Sequence, residues 1–238
     1  MSISAAPEKS STADLTTQIA AWLRLFCQPH QVVELRALHV RRRYGTPATI
    51  AGFFDGEHLR EMAEAALDLD GSARGVYFTL NPVNRALLAR RANRVDVAEQ
   101  GDLTTDKDVR HRRWLPVDID PFRPAGVSAT DREKALSLAL TRRVRAYLRK
   151  QHWPEPIFAD SGNGYHLLYP IVLPGNDNGT VERSLKKLAA YFDRRRVAID
   201  TTVHNPARII KLYGTLARKG DDIPERPHRR SRIIEVPT

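Results

Sequence analysis

Between Trp114 and Tyr213 the chain spells strand, helix, strand, strand, helix, strand, and few sheet topologies accept that order. The first strand is Trp114-Leu-Pro-Val-Asp-Ile-Asp-Pro121. Side chains alternate along a strand, so Val117 and Ile119 face one way and Asp118 and Asp120 the other. Pro121 to Gly126 is a turn, and Thr130-Asp-Arg-Glu133 is a capping box that opens a helix. That helix runs to Lys150 with Leu136, Leu140, Val144 and Tyr147 on one face. Ile157 to Asp160 and Tyr165 to Val172 flank the tight turn Ser161-Gly-Asn-Gly164 and read as a hairpin. A second helix, Thr180 to Arg196, carries Val181, Leu185, Leu188 and Phe192 inward, and a strand at Arg208 to Tyr213 completes the pattern.

The order β-α-β-β-α-β specifies a ferredoxin-like, RRM-like sheet. Its first and third strands lie side by side at the centre, two helices cover one face, and the other face stays open. Val117 and Ile119 then belong under the helices, and Asp118 and Asp120 stand on the open face about 7 Å apart. His166, on the neighbouring strand, stands beside them, and Lys211 follows by alternation with Ile210 and Leu212. Asp200, on the loop leading into the last strand, reaches the same end. Three carboxylates held together without compensation are costly, so a divalent cation with a preference for oxygen ligands is expected.

The preceding half reads as a mixed α/β subdomain over residues 15–109, joined to a second over 110–238; residues 1–14 are expected to be disordered. Leu15 to Leu25 has helical spacing, and Val32 to Val40 and Ala48 to Phe54 are strands, with Val33, Leu35, Ala37 and His39 sharing a side. A helix to Leu69, a strand at Gly75 to Leu80 and a short helix at Arg85 to Arg91 follow; Asn93 to Val109 is expected to be a loop and Arg232 to Val236 a last strand. The fold class expected is therefore α/β (α+β), with the N-terminal subdomain packed on the RRM-like sheet. No run of about 18 apolar residues occurs, so no membrane span, no export and a cytoplasmic location are expected. A single cysteine, Cys27, excludes an internal disulfide and a cysteine-based zinc site. The net charge is +10, and arginines at 41–43, 90–91, 110–113, 142–149, 194–196 and 229–230 supply much of it. Arginine clusters suit phosphate, so a polyanionic partner is expected.

The turn Ser161-Gly-Asn-Gly-Tyr-His166 supplies glycines that let backbone N–H groups approach a phosphate, with Ser161, Asn163 and His166 as side-chain donors. Beside an aspartate pair and a basic strand it reads as a triphosphate cradle.

These motifs resemble those of the archaeo-eukaryotic primase superfamily, in its primase-polymerase catalytic domain. Val-Asp-Ile-Asp is similar to the family's D-x-D metal motif at Asp118 and Asp120, Ser161 to His166 to its S-x-H nucleotide motif, and Asp200 to its third metal carboxylate. Val76-Tyr-Phe-Thr-Leu-Asn-Pro82, Asn205-Pro-Ala-Arg-Ile-Ile-Lys-Leu-Tyr-Gly-Thr215 and Arg226-Pro-His-Arg-Arg-Ser231 resemble the branch found in bacterial plasmid, phage and CRISPR-associated enzymes. The resemblance spans residues 30–236. It implies template-directed nucleotidyl transfer, with two Mg²⁺ or Mn²⁺ ions on Asp118, Asp120 and Asp200. Ser161, Gly162, Asn163, His166 and Lys211 would hold the NTP or dNTP, with Arg208 a weaker member because it shares the Ile210 side of a regular strand. Asn81, Asn84, Arg85, Arg112, Arg113, Arg229 and Arg230 would meet single-stranded DNA template and primer, and a helicase or other replication protein is an expected partner. The zinc module of some relatives has no counterpart in these residues, and the chain is expected to be either free-standing or a fragment of a longer protein. Two alternatives stand beside this reading: a non-catalytic replication-initiator module of the same fold, and a metal-dependent nuclease. The aspartate trio argues against the first, since clustered negative charge gains a pure DNA binder nothing. The lack of a histidine partner two residues from His166 argues against the second.

Overall fold

In the computed structural model, which describes residues 11–237, the chain forms a mixed α/β fold on two five-stranded sheets that share a core. Helix α1 (Thr12–Leu23) opens it, then strands β1 (Val32–Val40) and β2 (Ala48–Asp55), helix α2 (Leu59–Asp70), and strands β3 (Gly75–Thr79) and β4 (Asp96–Val97). The expected disorder of 1–14 concerns mostly residues outside those described, but residues 11–14 are corrected. Ser11 and Asp14 form a capping box in which each side chain accepts the other's backbone N–H, so the helix starts ahead of its apolar stripe. His39 is also corrected. A bulge after Ala37 puts it at φ +50°, exposed, and removes it from the face shared by Val33, Leu35 and Ala37. The stretch read as a loop over 93–109 holds β4 and two single 3₁₀ turns.

The second half follows as β5 (His111–Pro121), α3 (Asp131–Lys150), β6 (Ile157–Asp160), β7 (Tyr165–Pro174), α4 (Thr180–Phe192) and β8 (Val197–Ile199). The chain then adds β9 (Ile209–Lys211), β10 (Leu216–Ala217), β11 (Arg229–Arg230) and β12 (Arg232–Glu235). The sheet order β12-β6-β7-β5-β8 contains the ferredoxin-like arrangement, with the first and third strands, β5 and β7, at its centre. Leu115, Val117, Ile119, Leu167 and Tyr169 are buried against Leu140, Val144, Leu185 and Phe192 of the two helices.

The fourth strand is not the expected one. Val197–Ile199 fills that place beside β5, whereas β9, inside the stretch 208–213, pairs antiparallel with β3 in the first sheet, whose order is β4-β2-β1-β3-β9. Both segments carry aliphatic residues, and three residues give too little pattern to choose between them. Helix α4 ends at Phe192 instead of Arg196, and that frees the residues that build β8. A second correction follows. The helix-free face of the second sheet is not open: Ile157, Ala159, Leu168 and the partly buried Trp114 pack into the core that lies under the first sheet. What remains of that face, around Asp118 and His166, becomes one wall of a cleft. Among the described residues no helix is long and apolar enough to cross a membrane.

Candidate active site

A cleft of about 330 Å³ lies between the sheets. Pro116, Asp118 and Asp120 reach it from β5 and His166 from β7, because the alternating residues Leu115, Val117 and Ile119 are committed to the helical side. Asp118 and His166 are direct cross-strand partners. Asp200 arrives at the end of β8, where its N–H donates to the Asp118 carbonyl oxygen at 2.8 Å. Ser161 and Asn163 line the cleft from the β6–β7 turn. Tyr77, Arg208, Lys211 and Lys219 line it too, Tyr77 and Lys211 from paired positions of β3 and β9. Lys211 therefore enters the site from the first sheet, not from the strand order expected. Arg208, expected as a weaker member of the nucleotide set, lies ahead of β9, so strand alternation does not turn it away; it lines the cleft, its guanidinium held by the Thr202 carbonyl.

The two walls differ in charge. Asp118 is the strained member. Burial, then the charges of Asp120 and Asp200, push its carboxyl well above the usual carboxylate range. Its Oδ1 has no hydrogen-bond partner, and His166 Nε2 lies 3.5 Å from it. Asp120 is steadied by Arg123 Nη2 at 3.2 Å, and Asp200 Oδ1 accepts from the Thr202 N–H at 2.8 Å, capping a 3₁₀ turn. Burial pushes the His166 imidazole down to about 4, so the ring is neutral near pH 7, and its Nδ1 lies 2.8 Å from the buried Tyr213 hydroxyl. On the opposite wall, burial pushes the Lys211 ammonium down to about 7; Asp70 opposes this while Arg230 and Lys219 reinforce it. Lys211 Nζ donates to the Leu216 carbonyl at 2.7 Å.

The turn is built for close approach. A Cβ on Gly164 would overlap Asp120 Oδ1 and the Ile119 carbonyl, so only glycine lets the turn lie on the aspartate strand. The Ser161 hydroxyl accepts from the Gly164 N–H at 3.0 Å, and the Gly162 N–H donates to Asp160 Oδ1 at 2.7 Å. Lys134 pairs with the same Asp160 carboxylate. Asn163 Oδ1 accepts from the Ala129 N–H at 2.7 Å, so its carbonyl anchors the turn to the start of α3.

Of the residues expected on nucleic acid, Asn81 and Arg112 are buried, while Arg229 and Arg230 stand at the surface in ion pairs. Asn81 is buried, with its amide donating to the Pro206 carbonyl at 3.1 Å and accepting from the Arg113 N–H at 2.9 Å. Arg112 is buried and used by the Gly175 and His204 carbonyls and by Asp177. Arg229 pairs with Asp131 at 2.6 Å and Arg230 with Asp70 at 3.1 Å. Arg85 and Arg113, with Asn84, stand together in a separate pocket. Sequence reasoning missed Tyr77, Lys219, Tyr213 and Lys134. Lys219 had no periodic signal, and the others read as ordinary core or surface positions.

Among the described residues no three His, Cys, Asp or Glu side chains form a ready-made cation cage. The donor set nonetheless fits a divalent cation: three carboxylates line one cleft, and one of them presents a buried oxygen with no partner.

No family model matches this chain, and no curated protein matches it. A solved structure, the polymerase domain from Mycobacterium tuberculosis Ligase D in complex with DNA, is similar at 15% identity and a TM-score of 0.46, over 92% of this chain and 80% of that one. At that level of likeness nothing about this chain follows from it.

Proposed function

We propose that the chain is a template-directed nucleotidyltransferase, a primase-polymerase that joins NTPs or dNTPs on single-stranded DNA. The observation that carries this reading is the two-walled cleft, with Asp118, Asp120 and Asp200 on one side and Lys211, Lys219 and Arg208 on the other. A triphosphate accompanied by divalent cations matches both walls at once, which a purely basic or purely acidic ligand does not.

Asp118, Asp120 and Asp200 would hold two Mg²⁺ or Mn²⁺ ions. When bound, these neutralise developing phosphate charge and lower the pKa of an attacking hydroxyl. The rest falls to the chain's own side chains. Lys211 and Lys219 attract phosphate oxygens, and His166, kept neutral, offers a hydrogen bond without a full charge. Arg123 holds Asp120 at a fixed angle, and the 161–164 turn, braced by Asp160 and Lys134, lets a ligand lie against backbone. Positioning and charge neutralisation supply the rate in such transfers, since the protein forms no covalent bond itself.

The test is a labelled-nucleotide assay on single-stranded template, with and without primer, comparing NTPs with dNTPs. Asp118→Ala with Asp120→Ala is expected to abolish Mg²⁺- or Mn²⁺-dependent extension while leaving DNA binding largely intact. Wild-type-level synthesis by that variant would remove the site assignment, and shortening of the substrate would favour a nuclease.

A further inference from the structure

The second concave site that joins both sheets has a different character. It is a pocket of about 260 Å³ whose polar lining is Asn84, Arg85, Arg110, His111, Arg113 and Gln31, over a floor of Pro82 and Val83. It contains no carboxylate. Elsewhere several half-buried arginines are matched with acids, as in Arg36–Glu34, Arg91–Asp102 and Arg226–Glu133, whereas in this pocket Arg113 is half-buried and Arg85 and Arg110 are exposed. Among the described residues Arg85, Arg110 and Arg113 form no ion pair. Arg113 is instead aimed by a neutral group, Gln31 Oε1, at 3.0 Å.

The nearby acids are used elsewhere. Asp108 accepts from its own turn at Thr105, and Asp106 from Asn205 and Ala207. The pocket's backbone is held firmly: the Gly175 N–H donates to the Arg110 carbonyl at 2.7 Å, and the Asn84 N–H to the Asp108 carbonyl at 2.7 Å. Strand alternation separates the neighbours here, sending Arg112 into its buried pair with Asp177 and Arg113 into the pocket. Three unmatched guanidiniums on a fixed frame form a concave site for a compact anion, and a phosphodiester fits both their fork geometry and the small apolar floor.

We propose that this pocket seats a backbone phosphate of the nucleic-acid strand handled at the cleft. His111 and Asp118 lie on the same strand, so the seat stands about 23 Å from the carboxylates. This inference rests on the polynucleotide reading given above. It adds a fixed second contact, remote from the reacting centre, that sets how the strand lies.

The test measures binding of a labelled single-stranded oligonucleotide by anisotropy over a range of salt concentrations. Two variants are compared with wild type: Arg85→Ala with Arg110→Ala, and Arg143→Ala on the helical layer. For one phosphate seat, the pocket variant should lower the slope of log K against log salt by about 0.7, with Arg143→Ala unchanged. An unchanged slope in the pocket variant, or an equal loss from Arg143→Ala, would overturn the seat in favour of diffuse attraction. The two readings separate cleanly. A slope change in a protein that never extends a primer keeps the seat and removes the polymerase. Extension with an unaltered slope does the reverse.

Discussion

Asp118→Asn keeps the shape of the side chain and removes its charge, so it isolates what that charge does. In the metal-free protein the Asp118 carboxylate stands beside Asp120 and Asp200 with one oxygen unpartnered. Leaving such a group unsatisfied costs about 1–3 kcal/mol. Its folded pKa is raised above the unfolded value, so the folded state holds more protons, and wild-type stability falls as pH rises above the usual carboxylate range. Asparagine has no such slope. The variant should therefore match wild type near pH 4 and exceed it at pH 7 by about 2 kcal/mol, or about 4–8 °C in Tm for a domain of this size. Adding Mn²⁺ reverses the ranking. A cation at a hundred times its Kd stabilises wild type by about 2.7 kcal/mol, and the variant gains little. Thermal melts at both pH values, with and without Mn²⁺, check all four states. A variant that melts below wild type without metal, or that responds to Mn²⁺ as strongly as wild type, would refute the assignment of Asp118 as a strained cation ligand.

Three other outcomes are expected. Gly164→Ala forces a methyl onto Asp120 and the Ile119 carbonyl, and should cost about 1–3 kcal/mol in a denaturant melt and weaken Mn²⁺ stabilisation; a neutral effect on both would show that the turn need not lie on the aspartate strand. Lys211→Ala should raise the nucleotide KM roughly tenfold or more, the scale of one charge-assisted hydrogen bond. Because the lysine is protonated only below about 7, the wild-type advantage should grow as pH drops from about 8 to about 6.5, and a constant ratio of the two KM values would remove Lys211 from the phosphate site. In Tyr213→Phe the His166 ring loses the hydroxyl at Nδ1; nitrogen NMR should show the proton on Nε2 in wild type, where it faces Asp118, and a mixture of tautomers in the variant, whereas an Nδ1–H wild type would reverse the direction of that hydrogen bond.

Much of the local structure was legible from residue pattern alone. The capping box at Thr130 and Glu133, the stripes of α3 and α4, the hairpin around Gly162 and the alternation that divides Val117 and Ile119 from Asp118 and Asp120 all depend on neighbours in the chain. The pairing of Asp118 with His166 links distant segments, yet it too was legible, because it follows from the β-α-β-β-α-β order. Tertiary structure decided the rest. Val197–Ile199 and Ile209–Lys211 are both too short for their apolar residues to choose a neighbour, and the available sheet edges assign one to β5 and the other to β3. Lys211 thus reaches the aspartates from across a cleft that no local rule describes. Arginine fates split in the same way: a guanidinium reads identically in sequence whether Asp177 neutralises it, as at Arg112, or nothing does, as at Arg85. Helices, turns and strand faces are fixed by interactions within a few residues, whereas the partner of a charge and the edge taken by a short strand are set by segments distant in the sequence.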